Sequence, residues 1–189
     1  MTLHRAAIGL GSNLGDRRAH LEAALKALGA IGRVASRSGI YETAPVGGPE
    51  QGPYLNAVVV LETELAPIDL LARLREIERS RGRERRERWG PRTLDLDVLL
   101  YDRDQVDVAG LTIPHPRMAD RRFVLEPLLE AWPDAALPDG TPAAGLLPSV
   151  SHQDVRRLRR AGWLVAPPMV AGATLLMSLL IWWIIDWIL

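Results

Sequence analysis

Residues 93 to 101, with the sequence TLDLDVLLY, form an apolar run in which two acids stand two positions apart. The run follows polar and glycine-containing residues, and this pattern predicts a β-strand. Because side chains alternate across a strand, Thr93, Asp95 and Asp97 share one face. The opposite face is predicted to pack in the core and consists of Leu94, Leu96 and Val98.

Two carboxylates on one strand face repel each other, by about 3 kcal/mol at a separation of about 6 Å and an effective dielectric constant of about 20. A positive charge nearby should offset this cost. A hard divalent cation such as Mg²⁺ fits, because it takes oxygen ligands and is commonly held by one or two carboxylates together with substrate phosphates. Neighbouring arginines on an exposed sheet face are the alternative, and the spacing of the acids leaves both interpretations open.

The elements that lead to this strand follow the order β-α-β-β-α-β. Asp16 is the predicted N-cap of the first helix, and Pro67 stands near the start of the second, whose predicted apolar face is Ile68, Leu71, Leu74 and Ile77. In this order, strands are predicted at 6–10, 32–43, 54–65 and 93–101, and helices at 17–31 and 66–82. A hairpin at 105–113 and a helix at 121–132 are predicted to follow.

This element order is that of the split βαβ unit in ferredoxin-like folds. The sequence therefore predicts an α+β sandwich with an antiparallel sheet. A stretch rich in proline, glycine and alanine at 138–148 predicts the end of the domain. We expect a catalytic-sized domain at 1–150, a basic linker at 151–164 and an apolar C-terminal helix at 165–189.

Length and composition suit one domain with a substantial core, since the chain has 189 residues. The formal net charge is zero, from 23 basic and 23 acidic residues, so no nucleic-acid partner is predicted from the overall charge. The absence of cysteine excludes disulfides, thiolate metal sites and cysteine nucleophiles, and it agrees with a reducing cytosol. The N-terminal residues lack the apolar stretch of a secretory signal. The oligomeric state is left open.

The C-terminal residues form a long apolar segment. Residues 169–185 carry no charge, and continuation to residue 189 gives about 21 residues, interrupted by Asp186, which is enough to span a bilayer. Arginines at 156, 157, 159 and 160 precede it and would keep the domain on the cytoplasmic face of the cell membrane. A buried or oligomer-forming helix and the first span of a truncated fusion are the alternatives.

An arginine-rich segment precedes the acidic strand. Residues 79–92 contain seven arginines against two glutamates, in a run that also contains Gly82, Trp89, Gly90 and Pro91. Guanidinium groups suit phosphate oxygens, so a basic loop beside a carboxylate pair is typical of phosphoryl transfer. A solvated charged loop or an RNA-binding patch is the alternative, although RNA binding favours more aromatic residues than Trp89 alone.

The glycine-rich sequence GLGSNLGD, residues 9 to 16, is a weak signal for nucleotide binding. Its glycines are spaced one residue away from the dinucleotide-binding pattern, and no lysine followed by serine or threonine completes a phosphate-binding loop. We interpret it as a tight turn from the first strand into the first helix.

Four blocks in order, namely GLGSNLGD, YLNAVV, GRERRERWGPRTLDLDVLLYD and IPHPRMADRRFVLEPL, resemble the 6-hydroxymethyl-7,8-dihydropterin pyrophosphokinase family of folate biosynthesis. The resemblance covers about residues 4 to 147. It implies a ferredoxin-like fold and transfer of the terminal diphosphate of ATP to the hydroxymethyl group of the pterin, with release of AMP. The C-terminal apolar segment has no counterpart in this resemblance.

The resemblance also implies roles for charged residues. Asp95 and Asp97 would bind two Mg²⁺ ions, and Arg83 and Arg92 would contact phosphates as catalytic residues. The remaining residues expected at ATP are Glu78, Arg85, Arg86, Trp89, His115 and Arg121. A histidine between prolines, as His115 is, can instead merely cap a turn. No histidine base is required, because in-line attack of a hydroxyl on phosphorus depends mainly on positioning and charge neutralisation.

A flat pterin ring requires aromatic faces and an amide that matches its donor and acceptor edge. The resemblance places these groups at Tyr54, Asn56 and Phe123, and it adds Thr43, Pro45 and Val46 from the loop after the second strand. Core packing is the alternative for Phe123, which is the only phenylalanine in the chain. A catalytically silent scaffolding module is the alternative for the protein as a whole, although retention of the acids and arginines argues against it.

Overall fold

The computed structural model describes residues 2–45, 49, 51–83, 90–158 and 163. Within these residues the strands are β1 His4–Ser12, β2 Arg33–Arg37, β3 Tyr41–Thr43, β4 Tyr54–Thr63, β5 Asp95–Tyr101, β6 Val106–Val108, β7 Leu111–Ile113 and β8 Arg156–Arg157. The helices are α1 Arg17–Leu28, α2 Pro67–Ser80 and α3 Arg122–Ala131, with a 3₁₀ helix at Ala143–Val150.

The main sheet is antiparallel and has the strand order β5-β1-β4-β3-β8, with β2 pairing with the second half of β4. The predicted antiparallel sheet is therefore confirmed, and so is the predicted β-α-β-β-α-β order, except that the second predicted strand is divided into β2 and β3. The predicted hairpin is also present as the separate β6-β7 pair. Its position after β5 places the residues that follow it, 114 to 121, next to the carboxyl half of the sheet's β5 edge.

Two apolar clusters cover the two faces of the sheet. One lies under α1 and α2 and includes Leu21, Leu28, Leu74, Leu96 and Val98. The other lies under α3 and includes Val58, Val60, Leu99, Leu125 and Leu128. Leu96 and Val98 thus pack under the first two helices, as predicted, and this leaves Asp95 and Asp97 on the face that α3 shares.

Helix α1 begins as the sequence predicts. The Asp16 carboxylate accepts a hydrogen bond of 3.0 Å from the Ala19 backbone N–H, which satisfies one of the unpaired donors of the first turn. Gly15 precedes it with a φ of +67°, a conformation that glycine adopts without steric cost. Gly9 and Gly11, however, lie inside β1 and not in the turn.

The predicted second strand is divided in two. The Ser38 hydroxyl lies between β2 and β3 and accepts a 2.9 Å hydrogen bond from the Val58 N–H, in place of a strand carbonyl. The backbone N–H of Ser38 donates to the Val58 carbonyl at 2.9 Å. The ladder is therefore interrupted over residues 38–40, and β2 and β3 pair with different halves of β4.

The predicted buried face of helix α2 is confirmed at Leu74 and Ile77 and in part at Leu71, but it is wrong at Ile68. Leu70, Leu74, Ile77 and Glu78 are buried, whereas Ile68 is half exposed. The apolar pattern alone could not identify the buried face, because one of its members is a carboxylate with partners far away in the sequence.

Part of the expected linker is ordered on the sheet. Arg156 and Arg157 form β8, which pairs with β3, and the Leu158 N–H donates to the Ile40 carbonyl at 2.9 Å. Trp163 donates its indole N–H to the Ser38 carbonyl at 2.8 Å. The folded unit therefore continues past residue 150.

Among the described residues, no helix is both long enough and apolar enough to cross a membrane. The predicted C-terminal apolar helix, residues 165–189, lies outside the described residues. Its spanning character stays a prediction.

Candidate functional site

A cavity of about 430 Å³ opens on the sheet face that α3 covers only in part. This volume is in the range of small-molecule sites. Its floor is built from alternate residues of three adjacent strands, as the two-residue period of a strand requires. The floor residues are Gly9 and Gly11 of β1, Tyr54, Asn56 and Val58 of β4, and Asp95, Asp97 and Leu99 of β5.

The two glycines of β1 keep the middle of the floor open. Gly11 is paired with Asn56 on one side and with Asp95 on the other. A Cβ atom at this position would lie 3.6 Å from the Asn56 Oδ1 and 3.8 Å from the Asp95 Cβ. Any side chain at Gly11 would therefore occupy the space between the amide and the carboxylate.

Asp95 is paired with two arginines. Its Oδ1 lies 2.6 Å from the Arg83 Nη1, and its Oδ2 accepts a hydrogen bond from the Arg92 guanidinium. The sequence left open that neighbouring arginines offset the charge of the acids, and this pairing is observed at Asp95. Both arginines also line the cavity, so their remaining donors face the same space as the acids.

Asp97 is in a different environment. Burial and then the charge of Asp95 raise the pKa of Asp97 to about 6, against the opposing effect of Arg121, Arg83 and Arg92. Within the described residues, the hydrogen bonds and ion pairs of the structure do not include this carboxylate. The ionised form of Asp97 is therefore poorly stabilised by the protein, and a bound cation would stabilise it.

A metal ion fits this pair of acids. Among the described residues there is no group of three or more histidines, cysteines or acids that could hold a metal by themselves. Mg²⁺ does not require such a group, because it is commonly held by one or two carboxylates and by the phosphates of a substrate. Asp95 and Asp97 provide two carboxylates on one strand face. Since few protein donors compensate Asp97, the pair can hold Mg²⁺ in this way.

Glu78 lies beneath the site and not in the lining of the cavity. Its Oε1 accepts a 2.7 Å hydrogen bond from the Leu96 N–H and pairs with the Arg83 guanidinium. Burial raises the pKa of Glu78 to about 7, although the Leu96 hydrogen bond and Arg83 lower it. Glu78 thus connects α2 to β5 and holds Arg83 beside Asp95.

Basic side chains form one wall of the cavity. Burial lowers the pKa of Arg121, and the neighbouring Arg117 lowers it further. Burial, Arg121 and Arg117 likewise lower the pKa of His115. The His115 Nδ1 also accepts a 3.2 Å hydrogen bond from the Arg117 N–H, so this histidine both caps a turn and lines the cavity. Crowded cations of this kind favour an anionic ligand.

A second, adjoining wall has aromatic and amide groups, and the Arg121 guanidinium lies 5.5 Å from the centroid of its Phe123 ring. The Asn56 Nδ2 donates to the Thr43 Oγ1 at 2.8 Å, which fixes the plane of the amide. The Tyr54 hydroxyl donates to the Gln51 Oε1 at 3.2 Å. Together with Phe123 these residues present two rings and an amide edge to the cavity, which suits a flat ligand with donors and acceptors at its rim.

The structure brings together most of the predicted site residues that it describes. Those lining the cavity are Thr43, Tyr54, Asn56, Arg83, Arg92, Asp95, Asp97, His115, Arg121 and Phe123. Pro45 and Glu78 do not line it. Val46, Arg85, Arg86 and Trp89 lie outside the described residues.

Several lining residues were not predicted, namely Gln51, Arg117, Asp120 and Gln153. Arg117 and Asp120 stand within the block PHPRMADRR, whose density of basic residues could have indicated them. Gln153 belongs to the expected linker, and nothing in its local sequence indicates that it reaches the site.

We expect Asp97→Asn to stabilise the ligand-free protein at neutral pH. Folding raises the pKa of Asp97 from 3.8 to about 6. A carboxyl with a raised pKa stabilises the fold below its unfolded pKa, and that contribution is lost as the pH rises through its folded pKa. The variant should exceed the wild type by on the order of 2 kcal/mol in urea unfolding at about pH 7.5, and match it near about pH 4.

The control for this prediction is Asp134→Asn, which removes an exposed carboxylate far from the cavity. It should leave the free energy of unfolding within about 0.5 kcal/mol of the wild type at both pH values. A difference between Asp97→Asn and the wild type that does not change with pH would contradict the proposed environment of Asp97.

An α+β domain whose carboxylate pair shares a cavity with basic and aromatic side chains is an enzyme domain suited to an anionic ligand beside a flat polar one. The model of the 7,8-dihydro-6-hydroxymethylpterin-pyrophosphokinase (HPPK) family matches residues 7–133. The chain belongs to this family. It is therefore a pyrophosphokinase that transfers the pyrophosphoryl group of ATP to hydroxymethyldihydropterin in folate biosynthesis.

Curated relatives agree with this assignment. A 2-amino-4-hydroxy-6-hydroxymethyldihydropteridine pyrophosphokinase of Pseudomonas aeruginosa is 42% identical over 158 residues, which are 82% of this chain and 98% of the relative. The Bacillus subtilis protein of the same name is 48% identical over 127 residues, which are 66% of this chain and 76% of the relative.

Solved structures share the fold. A crystal structure described as HPPK-DHPS in complex with substrates has a TM-score of 0.63 at 14% sequence identity. The match covers 79% of this chain and 43% of that chain, so this chain spans less than half of the larger protein. At this identity the likeness concerns the fold alone.

Proposed function

We propose that the cavity binds ATP and 6-hydroxymethyl-7,8-dihydropterin side by side, with the reacting groups next to Asp95 and Asp97. The observation that carries this proposal is that the acid pair shares one cavity with the arginine wall and with the wall of Tyr54, Asn56 and Phe123. The arginine wall suits the triphosphate. The other wall suits the pterin ring.

Asp95 and Asp97 would hold Mg²⁺, in a set of two ions with the nucleotide. When bound, Mg²⁺ supplies positive charge to the phosphate oxygens. The two carboxylates orient the metal-bound phosphates, and their mutual repulsion is relieved in the process. Asp97 contributes most to this, since it lacks the arginine partners of Asp95.

The arginines would bind phosphate directly. Arg83 and Arg92 both reach the cavity and both point toward Asp95, so they can neutralise charge that develops on the transferred group. Arg121 and His115 would contact the nucleotide, and so would Arg85, Arg86 and Trp89. Glu78 would act through Arg83, whose guanidinium it holds.

The chemical step requires positioning more than a strong base. The pterin hydroxyl oxygen attacks the β-phosphorus of ATP, the bond from that phosphorus to the oxygen bridging to the α-phosphorus breaks, and AMP leaves with the electron pair. The hydroxyl proton passes to solvent. Asn56 and Phe123 hold the pterin ring so that its hydroxymethyl group faces the phosphates, with Tyr54, Thr43, Pro45 and Val46 around the same pocket.

An assay of AMP formed from ATP tests this function. AMP should appear only when the hydroxymethyldihydropterin and Mg²⁺ are both present, and chelation of the metal should stop the reaction. AMP formation that does not depend on the pterin would contradict the proposal. The same assay separates the enzyme from a silent scaffolding module, which would release no AMP.

We expect Phe123→Ala to weaken pterin binding selectively. The variant removes one ring face from the pocket, and loss of a stacked ring contact costs about 1 to 3 kcal/mol, or roughly fivefold to 150-fold in Kd. Calorimetry should show this loss for the pterin and a change of less than about threefold for a non-hydrolysable ATP analogue. Phe123→Leu, which keeps the apolar packing against the second core cluster, is the matched control for folding. Unchanged pterin affinity in Phe123→Ala would remove this ring from the pocket.

We also propose that residues 165–189 associate with a membrane and hold the enzyme domain at its cytoplasmic face. The uncharged run at 169–185 and the preceding arginines support this arrangement. Fractionation should find the full chain in the membrane pellet, extractable by detergent but not by high salt. A chain that lacks residues 165–189 is the control and should remain in the supernatant. A full chain that stays in the supernatant without detergent would contradict the proposal.

A further inference from the structure

The start of α3 carries two residues of the site. Arg121 is the N-cap of this helix and Phe123 lies in its first turn, and both line the cavity. The Arg121 guanidinium lies over the Phe123 ring, 5.5 Å from its centroid. Because the two groups contact each other and share one helix terminus, a movement of this terminus moves both of them.

This helix terminus has no cap of its own. An arginine side chain has no acceptor, so Arg121 cannot accept from the free N–H groups of the first turn. The cap comes instead from Gln153, whose Oε1 accepts a 2.9 Å hydrogen bond from the Arg122 N–H. The Gln153 Nε2 also donates to the Asp120 carbonyl at 2.7 Å. One side chain therefore binds the backbone on both sides of Arg121.

The Arg122 side chain also donates hydrogen bonds to the segment that contains Gln153. Its Nη1 donates to the carbonyls of Ser151 at 3.0 Å and Gln153 at 2.7 Å. Arg122 does not line the cavity. These bonds and those of Gln153 join the start of α3 to residues 151–158, which we name the C-terminal strap.

The far end of the C-terminal strap is fixed to the sheet. Its β8 pairs with β3, and the Leu158 N–H donates to Ile40. Arg156 forms an ion pair with Glu42, and Arg157 forms one with Glu130 of α3. The start of α3 is thus connected to the edge of the sheet through the strap, and the strap holds it from the side opposite to β5.

We propose that Gln153 is a positioning residue that sets the orientation of Arg121 and Phe123, so that the C-terminal strap controls the affinity of the site for both substrates. This inference rests on the proposed function, in which Arg121 contacts the nucleotide and Phe123 the pterin. Gln153 acts through the backbone of residues 120 and 122 and takes no part in the chemical step.

The test compares steady-state kinetics of full-length variants. Gln153→Ala should raise the KM for ATP and for the pterin by about tenfold each, with kcat within about threefold of the wild type, because a lost cap displaces binding groups. Gln153→Glu keeps the acceptor for the Arg122 N–H and loses the amide donor, so its effect should be intermediate. Arg122→Met, which removes the guanidinium donors outside the cavity, should act in the same direction.

Arg156→Ala is the matched control, since it removes another ion pair of the strap at a position that does not line the cavity. Both KM values should stay within about twofold of the wild type. Should Gln153→Ala fail to fold, Gln153→Glu and Arg122→Met carry the test. Unchanged KM values in folded variants would overturn the inference. A fall in kcat alone, in proportion to the fraction of unfolded protein, would overturn it as well.

Failure of the proposed function is separable from failure of this inference. A wild type that forms no pterin-dependent AMP would overturn the function. In that case, calorimetric binding of the ATP analogue with Mg²⁺ to the wild type and to Gln153→Ala still tests the strap. Equal Kd values would overturn the inference, and a Kd raised about tenfold in the variant would support it.

Discussion

Replacing Asp97 by alanine is expected to reduce pterin-dependent AMP release by at least about a thousandfold, the scale on which loss of a group that stabilises transition-state charge acts. Asp97 is the carboxylate of the pair that has no direct arginine ion pair among the described residues, and its raised pKa indicates that burial and the charge of Asp95 outweigh the charges of Arg121, Arg83 and Arg92. A bound cation should therefore stabilise the ionised form of Asp97 more than that of Asp95. The measurement is single-turnover formation of AMP at saturating ATP, pterin and Mg²⁺.

The variant should remain folded, which makes the kinetic result easy to interpret. Because the ionised Asp97 destabilises the free protein, its removal should not lower the free energy of unfolding at neutral pH. Pterin affinity should also be kept, since Phe123 and Asn56 are unchanged. Asp134→Ala, the exposed control, should retain full activity. Release of AMP by Asp97→Ala at a large fraction of the wild-type rate would exclude the proposed role.

Replacing Glu78 by alanine is expected to cost about 2 to 3 kcal/mol of stability, because a buried backbone donor is left without its acceptor. The variant leaves the Leu96 N–H without its acceptor and the Arg83 guanidinium without one of its two carboxylates. Both losses occur where α2 meets β5, directly beneath the acid pair. We expect activity to fall as well, because Arg83 loses the contact that holds it. Urea unfolding at neutral pH measures the first effect, and the AMP assay measures the second.

Two variants provide controls for Glu78. Glu76→Ala removes an exposed carboxylate of the same helix, which pairs with Arg73 at the surface, and should cost less than about 1 kcal/mol. Glu78→Gln keeps an acceptor for the Leu96 N–H and loses the charge, so its stability should lie between those of the wild type and Glu78→Ala. Equal costs for Glu76→Ala and Glu78→Ala would mean that the buried contacts of Glu78 contribute no more than a surface ion pair.

Local patterns in the sequence were sufficient for the strands that matter most to the site. The two-residue alternation of β5 predicted that Asp95 and Asp97 share a face, and the structure places both in one cavity. The same period on β4 brought Tyr54 and Asn56 to that cavity. Such predictions succeed because the side-chain direction on a strand is set by the backbone itself.

Other features depend on partners distant in the sequence. Ser38 divides the second strand because its hydroxyl meets the Val58 N–H, twenty positions away. Glu78 is buried because Leu96 and Arg83 satisfy it, whereas a helical pattern assigns the buried face to apolar residues. In the same way, a glutamine in an arginine-rich tail gives no sign that it caps a helix thirty-one positions earlier.

The prediction for the glycine motif failed for a related reason. The motif was interpreted as a turn, which placed Gly11 outside the predicted first strand, 6–10, although Gly9 lay within it. In the structure both glycines continue β1 beneath the cavity, where their small size keeps the floor open between Asn56 and Asp95. Only the neighbouring strands make this clear, and they come from residues more than forty positions later.

The pairing of Arg83 and Arg92 with Asp95 has a consequence for how the site admits its nucleotide. In the proposed reaction the two guanidinium groups would exchange a carboxylate for phosphate oxygens, and the Asp95 carboxylate would then be available to hold Mg²⁺. Each charge thus has a counterion before and after this exchange, and the net charge of the pocket changes little. Ionic strength should then affect nucleotide binding less than the number of arginines alone suggests.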